Sequence, residues 1–379
     1  MTTSSPSYRI GIDARMLHSS HGGIGRYTRN LLERLADLDH HNQYFVFITA
    51  EDETEWPLSQ PNFQPVVVDA PFYSYAEQTT FLRTLYQYRL DLVHFLNFNH
   101  PVLYRRPFVV TMHDLTVYFY PVGRSQKSRL RRAGFVWSLR HAARSAKKVI
   151  AISDHTAQDV ERHLGASQAK IEIVYEGGPE PMELPFGNKA MVQEYLGIRE
   201  PYFLFLSQWR PHKGMLTLMN AFAKFKAETG LPHKLVLAGK QKMLVNEVKH
   251  TLAASPVSSD ILTPGMVPEA LLGPLYRNAT AFVMPSEYEG FGLPVLEAFA
   301  YGAPVIVAEN SSLPEVAGNG GLYFPTSDVA ALSERMKELV GTPGLAEELV
   351  KHGQAQLKKF SWERMAKQTH DIYLNILEK

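Results

Sequence analysis

The amino-acid sequence predicts an α/β protein with parallel sheets, arranged in two successive halves. Short apolar runs rich in β-branched and aromatic residues alternate with longer amphipathic segments, and the alternation starts again after a stretch rich in proline and glycine at residues 176–188. Continuous apolar runs are typical of strands buried on both faces, and helical segments between them indicate βαβ units. A chain of 379 residues suits two domains. We therefore expect two Rossmann-like domains that face an interdomain cleft.

The apolar runs place the predicted strands along the chain. In the first half they cover residues 8–14, 44–49, 65–70, 91–97, 107–114, 147–154 and 170–177. In the second half they cover residues 202–207, 233–240, 260–267, 279–286 and 303–310. The tail has the pattern of an amphipathic helix with Ser361 as its N-cap. The predicted domains are residues 1–183, on which a C-terminal helix at about 362–379 packs back, and residues 184–361.

Composition excludes several classes of function. The formal net charge of +1 gives no general reason to expect a nucleic-acid partner. Because cysteine is absent, disulfides, thiolate metal sites and a cysteine nucleophile are excluded. The sequence lacks the basic start and apolar stretch of a signal peptide, and no run approaches the roughly 18 apolar residues that span a bilayer. We expect a cytoplasmic protein.

Two glutamates in the second half, Glu289 and Glu297, flank a Gly-Phe-Gly-Leu-Pro stretch. A predicted strand precedes them, and a helix is expected to begin near Leu293 or Pro294. Backbone N–H groups at such a helix N-terminus favour an anion. Glu297, about one turn into the helix, could accept hydroxyl hydrogen bonds from a ribose, and Glu289 could bind a second sugar. The alternative is that Glu297 only complements the helix dipole and Glu289 is solvated, but glycines that allow close backbone approach weigh against it.

Other candidate residues also follow predicted strands, where open parallel sheets bind ligands. Lys213 lies near a helix start and suits a diphosphate as a compact charge, while Arg210 offers a planar fork. On these residues alone, a solvated basic loop is an equal alternative. Val267 follows another strand of the second half.

In the first half, His113 ends a strand. A lone histidine is more often structural. Gly22, Gly23 and Gly25 make a weak dinucleotide fingerprint, because Thr28 stands where its third glycine would be. They indicate either a flexible loop that lets an acceptor or phosphate approach, or a purely structural turn.

Residues 287–306, "EYEGFGLPVLEAFAYGAPVI", resemble the E-x7-E signature of retaining, nucleotide-sugar-dependent glycosyltransferases of family 4, which have the GT-B fold. Residues 11–35, 109–115, 149–160 and 360–369 also look like landmarks of that family, so the resemblance covers nearly the whole chain.

The resemblance implies a role for each matching position. Glu289 would hold hydroxyls of the transferred sugar, with the backbone amides of Phe291, Gly292 and Leu293 nearby. Glu297 would bind the nucleotide ribose, and Lys213 the diphosphate. Gly23 would approach the diphosphate and the reacting centre, and His113 would lie over the donor sugar. Val267 is assigned to the donor site as well.

The resemblance also implies retention of anomeric configuration without a metal or other cofactor. Where the family commonly has an arginine, this chain has Gln208. Either Arg210 compensates, or Lys213 acts with backbone donors alone. Asp37-Leu38-Asp39 spells the D-x-D pattern of metal-dependent sugar transferases of another fold. Because it follows a helical pattern, we expect a polar helix end and no metal site.

The stretches "GIGRYTRNLL" and "TMHDLTVYFYP" resemble bacterial mannosyltransferases of polysaccharide assembly. We therefore expect transfer of a hexose, first mannose from GDP-mannose, to a hydroxyl of a glycan or lipid-linked glycan. Residues 123–149 carry many basic and no acidic residues, which suits an anionic membrane surface or, equally, a solvated helix. A GT-B epimerase or phosphorylase, and a non-enzymatic peripheral-membrane scaffold, remain alternatives.

Overall fold

The computed structural model describes residues 7–121, 129–179, 189–241 and 245–379. The chain forms two compact units, Met1–Gly177 with Ser361–Lys379, and Gly178–Phe360. The boundary predicted from the sequence, at residues 183 and 184, falls in the range 180–188, outside the described residues.

The first unit contains a parallel sheet in which the described strands follow the order β3-β2-β1-β4-β5-β6-β7. The strands are β1 (Arg9–Asp13), β2 (Gln43–Ile48), β3 (Phe63–Val67), β4 (Leu92–Phe95), β5 (Phe108–Met112), β6 (Lys148–Ala151) and β7 (Ile171–Ile173). Every residue of β4 and β5 is buried, as the continuous apolar runs predicted. Each predicted strand of this half overlaps one observed strand.

Helices cover the first sheet. They are α1 (Gly23–Leu38), α2 (Ala50–Glu53), α3 (Leu82–Gln87), α4 (Thr116–Phe119), α5 (Arg129–Ser145) and α6 (Asp154–Asp159). The predicted tail helix of this unit is also observed, and in chain order it is α15 (Trp362–Leu377). Ser361 caps it by accepting a hydrogen bond from the Arg364 backbone N–H at 3.2 Å. Helix α15 packs on α1, where Arg34 pairs with Glu363 at 2.8 Å.

The second unit contains a parallel sheet with the order β10-β9-β8-β11-β12-β13. Its strands are β8 (Tyr202–Leu206), β9 (Lys234–Ala238), β10 (Ile261–Gly265), β11 (Ala281–Met284), β12 (Val305–Ala308) and β13 (Gly321–Phe324). Its helices are α7 (Lys189–Leu196), α8 (Met215–Thr229), α9 (Val245–Ala254), α10 (Glu269–Arg277), α11 (Leu293–Ala300), α12 (Leu313–Ala317), α13 (Val329–Gly341) and α14 (Leu345–Leu357).

Strand β13 was not predicted. It has four residues, begins with glycine and pairs only with β12 at the edge of the described sheet. Three of its residues are half-buried, so it lacks the long apolar run that marks the central strands.

Both sheets have a point at which the strand order reverses. In the first unit it lies between β1 and β4, and in the second between β8 and β11. Ligands of open α/β sheets bind outside the carboxyl ends of the strands at such a point. Lys213 and Glu289 follow the two strands that flank this point in the second unit.

Candidate functional site

The loops that follow β8 and β11 are joined by an ion pair. The Lys213 ammonium donates to both Glu289 carboxylate oxygens, at 2.6 and 2.8 Å. The two side chains are 15% and 10% exposed. The alternatives of a solvated Glu289 and a solvated basic loop are therefore wrong for these two residues. Two groups that the sequence assigned to neighbouring parts of one ligand touch each other directly.

Backbone contacts hold these loops close together. Glu287 donates its N–H to the His212 carbonyl at 2.7 Å. Gly214 has a φ of 65°, and a Cβ placed on it would lie 1.9 Å from the Pro285 carbonyl oxygen. Only glycine fits there, because a side chain would meet backbone that cannot move aside. This close approach brings Lys213 within reach of Glu289.

The loop after β12 supports the backbone around Glu289. The Glu289 N–H donates to the Ser311 hydroxyl at 3.0 Å. The Ser312 hydroxyl, which is fully buried, donates to the carbonyls of Glu289 and Phe291 at 3.1 and 2.6 Å. These serines were not identified from the sequence, since nothing in their spacing links them to residues 289–291.

Helix α11 begins where the sequence predicted. Gly292, with a φ of 118°, stands at its N-cap, and Pro294 lies in its first turn. A glycine N-cap has no side chain to accept from the first backbone N–H groups of the helix. Phe291 and Gly292 are buried and Leu293 is half-buried. The N-terminus of α11 thus has the backbone geometry that favours an anion.

Glu297 is half-buried one turn into α11. Its Oε2 atom accepts a hydrogen bond from the Tyr276 hydroxyl of α10 at 2.7 Å. The Tyr276 ring stacks on Tyr301 with centroids 5.8 Å apart. Tyr276 therefore orients Glu297. Tyr276 was not identified from the sequence, because the hydrogen bond joins two separate helices across 21 positions of the chain.

Several polar atoms in these loops are buried without a hydrogen-bond partner among the described residues. They are Gln208 Oε1, Trp209 Nε1 and Ser286 Oγ. Buried polar atoms are normally satisfied, so a cluster of exceptions requires an explanation such as a bound ligand. Gln208 is the position at which the family commonly has an arginine.

The remaining predicted residues of this unit follow β8 and β10. Arg210 precedes the 3₁₀ turn Pro211–Lys213 and is half-buried. In the described part of the chain its guanidinium makes no ion pair. Val267 is half-buried two residues after β10. Burial, then the charges of Lys213 and Arg210, lower the pKa of His212 to about 3, so His212 is neutral near pH 7.

In the first unit, a buried cluster fixes the loop that leads from β1 to α1. The Arg15 guanidinium pairs with Asp13 at 2.8 Å and Glu77 at 3.0 Å, and donates to the Ala70 carbonyl at 2.6 Å. The Arg15 side chain is 0% exposed. Gly23, which is exposed, then begins α1. Gly25 has a packing role, since a Cβ there would lie 2.7 Å from the His18 carbonyl oxygen.

His113 follows β5 and is 8% exposed. Its Nε2 atom lies 2.8 Å from the Leu96 carbonyl oxygen, and its Nδ1 atom lies 3.4 Å from Oε1 of Glu176. The Tyr27 ring packs edge-to-face with the His113 imidazole, and the two ring centroids are 4.8 Å apart. Glu176 was not weighed as a site residue in the sequence, where it opens the stretch rich in proline and glycine. Its position after β7 is the signal that could have identified it.

The D-x-D segment is a helix end, as predicted. Helix α1 ends at Leu38, with Asp37 exposed and Asp39 buried. Burial opposes ionisation of Asp39, but hydrogen bonds from His370, Tyr44 and Asn42 outweigh it and hold its pKa well below the usual range. Asp39 thus ties α15 to the end of α1.

The basic segment is only partly described. Residues 122–128 and the side chains of 129–131 lie outside the described residues. Further along α5, Arg140 and Arg144 donate to the carbonyls of His163 and Leu164 at 3.3 and 2.9 Å, so these two side chains have structural roles. With Arg132 and Trp137, which is 56% exposed, they line an open pocket of about 740 Å³. Within the described ranges, no helix has the length and apolar character needed to cross a membrane.

Family models match both units. Residues 21–177 match the model for Glycosyltransferase Family 4, and residues 192–356 match the model for Glycosyl transferases group 1. The O-antigen chain mannosyltransferase B of Escherichia coli is 28% identical over 370 residues, which cover 93% of this chain and 95% of that protein.

Solved structures share the fold. The sucrose-phosphate synthase of Thermosynechococcus elongatus has a TM-score of 0.77 at 21% identity, covering 98% of this chain and 99% of its own. Anabaena HepE in complex with UDP-glucose has a TM-score of 0.77 at 16% identity, covering 97% and 100%. At these identities, the likeness concerns the fold alone.

Proposed function

Because this chain belongs to the family 4 glycosyltransferases with the GT-B fold, we propose that it transfers mannose from GDP-mannose to a hydroxyl of a glycan or lipid-linked glycan, with retention of anomeric configuration. The observation that carries this proposal is the Lys213–Glu289 pair beside the N-terminus of α11. A cation, a buried carboxylate and a helix N-terminus meet at the point where the strand order reverses, which suits a phosphorylated sugar.

The donor-binding roles follow from this geometry. We assign the diphosphate to Lys213, Arg210 and the backbone N–H groups at Phe291, Gly292 and Leu293. Lys213 is already neutralised by Glu289, so Arg210 supplies a second positive charge where Gln208 has none. Developing negative charge on a departing nucleoside diphosphate is stabilised by such fixed donors and cations.

We assign the sugar hydroxyls to Glu289 and the ribose to Glu297, which Tyr276 orients. Val267 lies beside the nucleotide in this assignment. In the first unit, Gly23 and His113 contribute to the transfer step. Both ring nitrogens of His113 face protein groups, which favours a role in positioning over removal of the acceptor proton.

The identity of the sugar rests on the relative named as an O-antigen chain mannosyltransferase. UDP-glucose is the second donor to test, because HepE, which shares the fold, is described in complex with it. The two donors differ in base and sugar. Binding measured separately for GDP, UDP, GDP-mannose and UDP-glucose therefore distinguishes the contribution of the base to affinity from that of the sugar.

We propose further that the protein works at the cytoplasmic face of an anionic membrane, held by α5 through Arg132 and Trp137. Arginine charges beside an exposed tryptophan suit a lipid headgroup layer. An Arg132→Gln, Trp137→Ala variant should lose sedimentation with phosphatidylglycerol vesicles while keeping turnover of a soluble acceptor. Unchanged sedimentation would contradict membrane docking by this surface.

The experiment that tests the function is a thermal-shift and turnover series on the full chain. A donor at 100 times its Kd should stabilise the protein by ~2.7 kcal/mol. Glu297→Ala should weaken binding of the bare nucleotide and of the whole donor. Glu289→Ala should reduce turnover more than nucleotide binding, because in this assignment Glu289 binds the sugar part of the donor.

NMR of the product determines the anomeric configuration of the new linkage. An α-linked product from α-linked GDP-mannose supports retention. Equal losses of nucleotide binding in the two variants would contradict the separate roles. A protein that is stabilised by no nucleotide would contradict the proposed function as a whole.

A further inference from the structure

We propose that Glu176 is a positioning residue for sugar transfer, acting by orienting the imidazole of His113. The inference rests on the proposed function, since it concerns how one residue of the transfer step is held. It adds a residue of the first unit that neither the E-x7-E pattern nor the glycine loop contains.

The two ring nitrogens of His113 each face a protein group. A carbonyl oxygen only accepts, so the Nε2 atom must carry a proton to bond the Leu96 carbonyl at 2.8 Å. The Nδ1 atom then faces the Glu176 carboxylate at 3.4 Å. These two contacts together fix the orientation of the imidazole.

Burial makes this pairing important to both partners. Glu176 is 3% exposed and His113 is 8% exposed. A buried carboxylate without a compensating charge or hydrogen bonds is costly. The negative charge of Glu176 also contributes to raising the pKa of Tyr27, after the larger effect of burial. The His113 ring is the group that the structure places against this carboxylate.

The backbone beside Glu176 is held by the C-terminal helix. A Cβ on Gly177 would lie 2.4 Å from the backbone nitrogen and the ring of Trp362. Three residues before Gly177, the Val174 N–H donates to the Ala151 carbonyl at 2.9 Å. Helix α15 therefore presses directly on the segment that carries Glu176. This rigidity is what a positioning residue requires.

Other titratable groups also face His113. Tyr27 packs its ring edge on the imidazole from α1, and burial raises the pKa of Tyr27 far above its usual value. On β4, burial and then the charge of His113 lower the pKa of His94 to about 3. Asp114 is adjacent in sequence, and its Oδ1 atom accepts from the Thr116 N–H at 2.7 Å. Near neutral pH, Tyr27 and His94 are uncharged, which leaves Glu176 as the charge in contact with the ring.

The test compares Glu176→Gln with Glu176→Asp in the full chain. Glu176→Gln should lower kcat by about tenfold to a hundredfold with little change in donor KM, because a misplaced group costs rate rather than ground-state binding. Glu176→Asp keeps the carboxylate and should recover most of the lost kcat, again with little change in donor KM.

Glu172→Gln is the matched control. Glu172 lies on β7, four residues earlier, and pairs with Lys148 with 43% of its side chain exposed. Glu172→Gln should leave kcat and donor KM unchanged. A folded Glu176→Gln variant with the kcat of the wild type would overturn the positioning role and leave the proposed function standing. A wild-type protein that turns over no nucleotide sugar would instead refute the proposed function.

Discussion

The two units share one topology but use charge in different ways. In the first unit, the charges at the reversal of strand order are buried against each other, and the Arg15 side chain is 0% exposed. In the second unit, the corresponding pair, Lys213 and Glu289, retains partial exposure at a glycine-rich helix start. A fully buried pair fixes backbone, whereas a partly exposed pair can exchange its partner for a ligand. The two units thus have similar sheets, and the degree of burial determines in which unit the charged side chains remain accessible to a ligand.

The largest expected effect tests the structural side of this comparison. Arg15→Met leaves Asp13 and Glu77 as uncompensated buried carboxylates, so it should lower the free energy of unfolding by about 3–5 kcal/mol. Urea unfolding followed by circular dichroism measures the loss. The control is Lys367→Met on α15, which removes an exposed pair with Asp371 and should cost about 0.5 kcal/mol. Similar losses in both variants would remove the distinction between buried and exposed pairs.

The second prediction concerns the pair in the second unit. Lys213→Met should reduce turnover of the donor by about 10²–10³-fold, as expected for removal of a group that stabilises developing charge. Its cost in stability should be smaller than that of Arg15→Met, about 1–3 kcal/mol. Steady-state kinetics and urea unfolding on the same preparation check both numbers. Full activity with a large loss of stability would make Lys213 a structural residue like Arg15.

The smallest expected effect is a loss of stability on acidification, and it is expected in both units because both contain buried histidines. Burial lowers the pKa of His94 to about 3 and of His100 to about 4 in the first unit, and of His233 to about 4 in the second. A base with a lowered pKa binds fewer protons when folded than when unfolded. Its stabilising contribution is therefore complete above the unfolded pKa of about 6.5 and is lost as the pH falls toward the folded values.

Between about pH 7 and pH 5, each of these histidines should remove about 1–2 kcal/mol of stability from its unit. Amide hydrogen exchange, which reports on the strands of each unit separately, measures this loss of stability. Stability that rises on acidification in one unit would show that its histidines gain rather than lose stabilisation when protonated, and would separate the two units in this respect.

Much of the fold follows from local pattern. The apolar runs predicted the strands because residues such as those of β5 and β11 are buried on both faces and have no polar alternation. Strand β13 was missed because it is short and lies at the edge. The start of α11 was predicted correctly from a glycine followed by a proline, since both act through their own backbone conformation.

The contacts between candidate residues were less predictable. Lys213 and Glu289 were each identified, but not their direct pairing. Tyr276 and Glu176 were not identified, because each acts on a residue brought close only by the packing of separate elements.

The sequence by itself determined the alternation of strands and helices, the division into two halves and the loops in which the candidate residues lie. These features depend on residue type and on spacing along the chain. Only the tertiary structure decided that Lys213 pairs with Glu289, that Tyr276 orients Glu297 and that Glu176 faces His113. Such contacts depend on side-chain distances across 76, 21 and 63 positions of the chain, respectively, and no local pattern encodes them.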